Sequence, residues 1–157
     1  MGAAVATVLR AHSLRVVTCL EGRSARTRQR AEIARLEVVS TLTQLVRTVE
    51  AVLSIVPTMS APAVGEEIAQ AITQTCKPIA FIEVNAISPM TSPAIEQTII
   101  RAGGRYIDGC IIGSARDVGR RTMFYLSGPD AEVTAAALRA GGVQAEMLGG
   151  RAGRHRP

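Results

Sequence analysis

Hydrophobic and polar positions follow two rhythms along this chain, and the rhythm switches repeatedly. Gly2–Ala11 is small and apolar with no breaker after Gly2, which predicts a helix. Residues 15–20 (RVVTCL) are β-branched and predict a strand. A turn over residues 21–24 leads to a polar helix reaching about Ala34, then a short strand at 37–39 and a short helix at 42–49. Residues 51–56 (AVLSIV) predict a buried strand that stops at Pro57. A helix is expected over 60–73, since Ser60 and Pro62 are residue types that open helices. A strand follows at 79–84. Ser88-Pro89 opens the next helix, with Ser88 as its cap, and Gly103-Gly104 closes it. Strands at 105–108 and 122–127, a helix from 128–130 to Gly141-Gly142, and a strand at 143–148 complete the pattern. The Gly- and Arg-rich residues after Gly149 read as loop or disorder.

Strands that alternate with helices predict an α/β fold, a doubly wound, mostly parallel sheet covered on both faces. Such folds begin with a strand, because in a parallel βαβ unit the helix is only the crossover. This pattern begins with a helix, so the expected sheet has its first strand missing. The next strand and the one at 51–56 must then pair directly or leave unpaired edges.

Composition narrows the picture. A chain of 157 residues suits one such domain, and 47% hydrophobic content argues against disorder. Aromatics are only 3%, with no Trp, so the core is built from Ala, Val, Ile and Leu. That scarcity, with no recognition motif, argues against nucleic acid as a partner despite a net charge of +5. Salt-sensitive duplex binding through the Arg-rich tail and the Arg23 to Arg30 cluster would revive that reading. Three separated cysteines, Cys19, Cys76 and Cys110, fit neither a zinc site nor a disulfide framework, and suggest a reducing cytoplasm. No apolar run spans a membrane. The myristoylation pattern fails at Ala6. Arg10 and Arg15 without an acid give the start a faint transit-peptide character, but helix followed by strand reads better.

The chemistry starts at Gly2. A helix opening on glycine, followed by a strand ending near Glu21, fits the second half of the dinucleotide fingerprint G-x-G-x-x-G. Its last glycine permits close helix–sheet packing, and the residue that reads the adenine ribose lies about 20 residues on. Here that region is Leu20-Glu21-Gly22-Arg23-Ser24. Glu21 would favour a ribose hydroxyl and NAD. Arg23 and Ser24, with Arg28 near, suit a 2′-phosphate and NADP, since a guanidinium matches phosphate geometry. NADP is the preferred cofactor, with NAD possible.

Several further segments carry a family resemblance. Glu83-Val84-Asn85-Ala86-Ile87-Ser88-Pro89 resembles the strand-to-helix signature D-x-S/N-T-x-S-P of the β-hydroxyacid dehydrogenases, which include 3-hydroxyisobutyrate and 6-phosphogluconate dehydrogenases. Residues 103–113 are similar to the family's G-x-x-F-x-D-A-P-V-S-G strand and substrate loop, and residues 122–130 to its next strand and turn. Residues 53–57 resemble the end of its fourth strand, and Gly149-Gly150-x-x-Gly153 the start of its linker. The likeness runs from Gly2 to about Gly153. It implies a Rossmann-type NAD(P)-binding domain over residues 1–150, with 151–157 a disordered remnant of a linker to an absent helical domain. It also implies roles by position. Gly2 lies near the pyrophosphate, and Arg23 with Ser24 holds the 2′-phosphate. Val56, Pro57 and Met59 line the adenosine side. Asn85 and Ala86 lie near the nicotinamide ribose, and Ile111, Ile112 and Gly113 form the substrate loop.

The departures matter as much. Ile112 stands where the family often has a Ser that binds the substrate carboxylate, and Ala86 replaces a Thr. Arg116, Arg120 and Arg121 follow the loop and could meet an anion. The family's acid/base is a Lys beyond the nucleotide domain. The only Lys here is Lys77, before Pro78 at the start of a strand, and it is not that counterpart. His12 ends the first helix, His155 lies in the tail, and Cys110 has no His partner nearby in the sequence. Two readings therefore remain. One is a cofactor-binding fragment of an oxidoreductase for hydroxy-acid-type substrates, cut at both ends and weakly active or inactive alone. The other is a non-catalytic NADP-binding or self-associating module, such as a homodimer.

Overall fold

The computed structural model describes residues 1–149, so the tail at 151–157 lies outside the described residues. The expected alternation is present. Its elements are α1 (Gly2–Ala11), β1 (Val17–Cys19), α2 (Ala25–Ile33), β2 (Glu37–Val39), α3 (Leu42–Thr48), β3 (Ala51–Ser54) and α4 (Ala61–Thr75). They continue with β4 (Ala80–Glu83), α5 (Ser92–Arg101), β5 (Arg105–Ile112), β6 (Met123–Ser127), α6 (Ala131–Ala140) and β7 (Gln144–Met147). Short 3-10 turns sit at Thr58–Ser60 and Ala115–Asp117.

The strands form a five-stranded sheet in the order β3-β4-β5-β6-β7 and a separate pair, β1-β2. Every pairing is parallel except β5 with β6. Apolar faces explain the layers. Val5 of α1 and Ala131, Ala135 and Leu138 of α6 are buried against Ile82, Ile107 and Phe124 on one side of the sheet. On the other side α3, α4 and α5 contribute Leu45, Val46, Ile68, Ile72, Ile95 and Ile99 around Phe81 and Tyr106. The near-continuous apolar strand β4, buried at all four positions, is what coverage on both faces requires. Among the described residues no helix is long and apolar enough to cross a membrane.

Of the two outcomes expected for the strand after α1 and the one at 51–56, the second occurs: β1 and β3 do not pair. Two boundaries also differ. The helix expected from Ser88-Pro89 starts at Ser92, with Pro93 in its first turn. Ser88 instead closes a preceding turn, where its hydroxyl accepts from the Met90 amide at 3.2 Å. The strand expected to end at Asp108 continues to Ile112, because residues 108–112 pair antiparallel with 123–127.

Candidate functional site

The loops that follow β1, β3 and β4 gather at one edge of the sheet. Beyond the carboxyl ends of β1 and β3 lies a cavity of ≈ 630 Å³, lined among others by Cys19, Glu21, Arg23, Leu42, Met59 and Ser60. Open parallel sheets bind ligands outside these strand ends.

Arg23 lies at this cavity, half-buried on its wall. Ser24 does something the sequence reading did not assign: it is the N-cap of α2, and its Oγ accepts from the Thr27 amide at 3.3 Å. Arg28 is exposed and its Nε donates to the Arg23 carbonyl at 3.2 Å, which ties the two together. Met59 is 93% exposed beside the cavity.

A second group sits at the ends of β3 and β4. Buried Asn85 accepts on Oδ1 from the Val56 amide at 2.8 Å and donates through Nδ2 to Ser54 Oγ at 3.1 Å. It also donates to Glu83 Oε1 through Nδ2 and, at 2.9 Å, through its backbone amide. Asn85 therefore fixes the Val56-Pro57 turn to β4, joining two segments that the sequence named separately. Ala86 follows it, exposed. Gly2 begins α1 close by: a Cβ there would stand 3.9 Å from Ile55 Cβ.

Sequence reasoning missed Ser54 and Glu83. Glu83 is fully buried, and its Oε2 has no hydrogen-bond partner among the described residues. Burial pushes its carboxyl above the usual range; bonds from Asn85 oppose the shift, and the neighbouring Asp108 adds to it. The signal was an acid at the same place in two paired strands, IAFIE and RYID, since Glu83 and Asp108 stand in register. Asp108 is itself bonded, accepting from Ser92 Oγ at 3.0 Å, and Ser92 Oγ lies 3.0 Å from the Tyr106 hydroxyl. Burial raises the Tyr106 phenol far above its ordinary value, so it stays protonated.

The segment read as a substrate loop is instead the end of β5. Ile111 pairs with Phe124 and Ile112 with Met123, and Ile111 packs on the core. Ile112 is 61% exposed, and Gly113 turns the chain at φ +135°. Because β5 outruns β4, these residues project beyond the same edge as Asn85. Thr122 Oγ1 donates to the Ser114 carbonyl at 2.6 Å and closes the turn. Asp117 takes up Arg121 at 2.9 Å.

Lys77 is away from this edge, whereas His12 lies against Gly142, ahead of β7. Lys77 Nζ donates to the Val49 carbonyl at 2.7 Å and pairs with Glu50 at 3.0 Å, at the amino ends of β3 and β4. His12 caps the last turn of α1, with Nδ1 2.9 Å from the Val8 carbonyl.

This is the architecture of a Rossmann-like NAD(P)-binding domain of the kind found in 3-hydroxyacid-dehydrogenase-like structures. Neither a protein-family model nor a curated protein sequence matches the chain. Solved structures do. A conserved protein of unknown function whose structure resembles 3-hydroxyacid dehydrogenases is 28% identical with a TM-score of 0.83, over 96% of this chain and 55% of its own. Mycobacterium tuberculosis 3-hydroxyisobutyrate dehydrogenase, solved with L-serine, is 18% identical with a TM-score of 0.78, over 98% of this chain and 52% of its own. The reductive aminase from Aspergillus terreus, in complex with NADPH4, cyclohexanone and allyl amine, is 13% identical with a TM-score of 0.74, over 98% of this chain and 52% of its own. The chain thus spans about half the length of these structures.

Proposed function

We propose that residues 1–150 form the NADP-binding domain of an oxidoreductase that acts on hydroxy-acid-type substrates. The observation that carries this is the half-buried Arg23 on the wall of the cavity beyond β1, bonded to Arg28 and followed by the N-terminus of α2. A guanidinium and a helix N-terminus together suit the 2′-phosphate of NADP. In this reading Gly2 lies by the pyrophosphate, and Met59, Val56 and Pro57 face the adenosine side. Asn85 and Ala86 face the nicotinamide ribose, and Ile112 and Gly113 border the substrate. The bound nicotinamide would supply the hydride, while these residues orient it. Glu21 on the same wall leaves NAD as the alternative ligand.

Among the described residues the only Lys, Lys77, stands at the opposite edge of the sheet, at the amino ends of β3 and β4. That supports a cofactor-binding role with weak or no turnover by this chain alone, and equally the non-catalytic, self-associating reading. Clear turnover of NADPH with a panel of β-hydroxy or β-keto acids would remove both.

The test of the nucleotide uses a ligand that needs only the Arg23 cavity. Adenosine 2′,5′-bisphosphate is expected to bind more tightly than adenosine 5′-monophosphate, and R23E to erase the difference. Charge-assisted bonds set the scale at about tenfold to hundredfold. Equal calorimetric affinities for the two nucleotides in the unmodified chain would overturn the NADP assignment.

A further inference from the structure

The polar side chains at the carboxyl ends of β3, β4 and β5 stand in one row. Ser54 is in register with Glu83, and Glu83 with Asp108. Side chains alternate between the two faces of a strand, so these three share the face of Val52, Phe81 and Tyr106, which α3, α4 and α5 cover. Polar groups in such a place are costly unless they are bonded. Among the described residues one buried side-chain oxygen is left without a partner, Glu83 Oε2.

The bonds of Glu83 to Asn85 run through its other oxygen. Oε1 accepts from the Asn85 backbone amide at 2.9 Å and from Asn85 Nδ2. Nδ2 carries two hydrogens and gives the second to Ser54 Oγ at 3.1 Å. At the other end of the same side chain, Oδ1 accepts from the Val56 amide at 2.8 Å. Asn85 is thus committed at both ends. It holds the turn after β3 only while Nδ2 stays on Glu83 and Ser54.

The proton on Glu83 decides whether it stays there. A neutral acid suits the place, since Oε1 keeps both donors and no charge is buried. An anion leaves a charged, fully buried Oε2 without a donor, beside Asp108. The nearest donors are Ser54 Oγ and Asn85 Nδ2, so relieving Oε2 draws on the bonds that hold Asn85. The other groups around Glu83 offer no substitute. Asp108 and Tyr106 of β5 are bonded to Ser92 at the start of α5. Glu96 of α5 bears on Tyr106, and Cys110 lies by Asp108. The buried residues of α4 and α5 are apolar, apart from Gly65. Lys77 is paired with Glu50 at the far end of β3. We propose that Glu83 is a proton-dependent clamp: protonated, it holds Asn85, and through it the Val56-Pro57 turn, in the form that receives the nucleotide, and on ionisation its proton passes to solvent and the turn loosens. The effect on binding rests on the nucleotide reading given above; the clamp itself does not. Clamping and binding are fullest below the folded value of Glu83 and fade as pH rises through it.

The experiment follows the whole chain by NMR from pH 5 to 9, without ligand. The Val56 amide shift is expected to titrate with the same midpoint as the Glu83 carboxyl carbon, a comparison that needs no variant. Hydrogen exchange at Val56, taken as a ratio to Glu83→Gln at each pH, should quicken by about tenfold across that midpoint, the scale of one buried hydrogen bond. The ratio removes the base catalysis common to both proteins. Asn85→Ala should exchange fast at Val56 at every pH. Calorimetry with NADP+ then reads the consequence: affinity relative to Glu83→Gln should fall by a similar factor over the same range, the ligand's own titration cancelling. A constant exchange ratio at Val56 would overturn the clamp, as would a Val56 midpoint that differs from that of Glu83. Equal pH dependence of NADP+ affinity in the two proteins, with Val56 titrating, would overturn the link to binding. No NADP+ binding by either protein at any pH would sink the nucleotide reading alone, and the clamp would still be decided at Val56.

Discussion

The densest chemistry at the level of single residues is the cluster of Ser54, Glu83 and Asn85. One side chain, Asn85, satisfies a backbone amide, a hydroxyl and a carboxyl in a buried place, which makes the turn after β3 geometrically fixed. Asn85 was singled out through the resemblance, since it falls in the segment from Glu83 to Pro89 that is similar to the family's strand-to-helix signature. Glu83 was not, since an acid closing a strand reads as a solvated end unless its burial is known. The raised carboxyl of Glu83, caused first by burial, has a definite consequence. A group whose folded value lies above its unfolded value contributes stability that is full below the ordinary carboxylate range. That contribution is lost as pH rises through the folded value. Glu83→Gln keeps the shape and the acceptor but cannot ionise. The variant is therefore expected to gain on the unmodified protein in urea unfolding as pH goes from 4 to 8. A parallel pH dependence in the two proteins would show that Asp108 and the other carboxyls, not Glu83, set the trend.

Between elements, contacts depend on small residues that a periodicity argument cannot see. Gly65 lies in the middle of α4, where glycine costs helix stability. It is there because α5 comes close: a Cβ at Gly65 would stand 2.8 Å from Ile95 Cγ2, and Ile95 is buried. Gly65→Ala gains propensity but overpacks this contact, and the net expectation is a loss of about 1–3 kcal/mol by chemical denaturation. A neutral or stabilising result would mean that α5 can shift outward. Gly109 explains the misread end of β5. Glycine after Asp108 looks like a strand breaker, yet a Cβ there would stand 2.8 Å from Leu126 Cδ2. It is the small residue that lets β6 approach, and the strand runs through it. The late start of α5 has a similar cause. Two Ser-Pro steps compete, and the second is used, with Ser92 bonded to Asp108 and Tyr106.

For the molecule as a whole, the order of strands and helices was legible because each switch of apolar period is local. Whether β1 and β3 pair was left open by the pattern, and the structure keeps them in separate sheets. How the two sheets share one core was not legible, because that depends on α3 and α4 reaching both. Their unequal attachment leads to a difference in stability. The segment from β1 to β2 has two three-residue strands, and its helix α2 buries only Ala31. The Arg15–Glu37 pair is exposed and adds little. By contrast β4 and β5 place Phe81, Ile82 and Ile107 in the centre of the larger sheet. Native-state hydrogen exchange should then find residues 17–39 opening below the global unfolding free energy, with a small denaturant slope, while Ile82 and Ile107 exchange only by global unfolding. Arg23 and the cavity it lines belong to this weaker segment. A ligand held there, present at 100 times its Kd, should raise the opening free energy of residues 17–39 by up to about 2.7 kcal/mol. If residues 17–39 already exchange at the global value without ligand, the two sheets unfold as one unit and the coupling between binding and local opening does not exist.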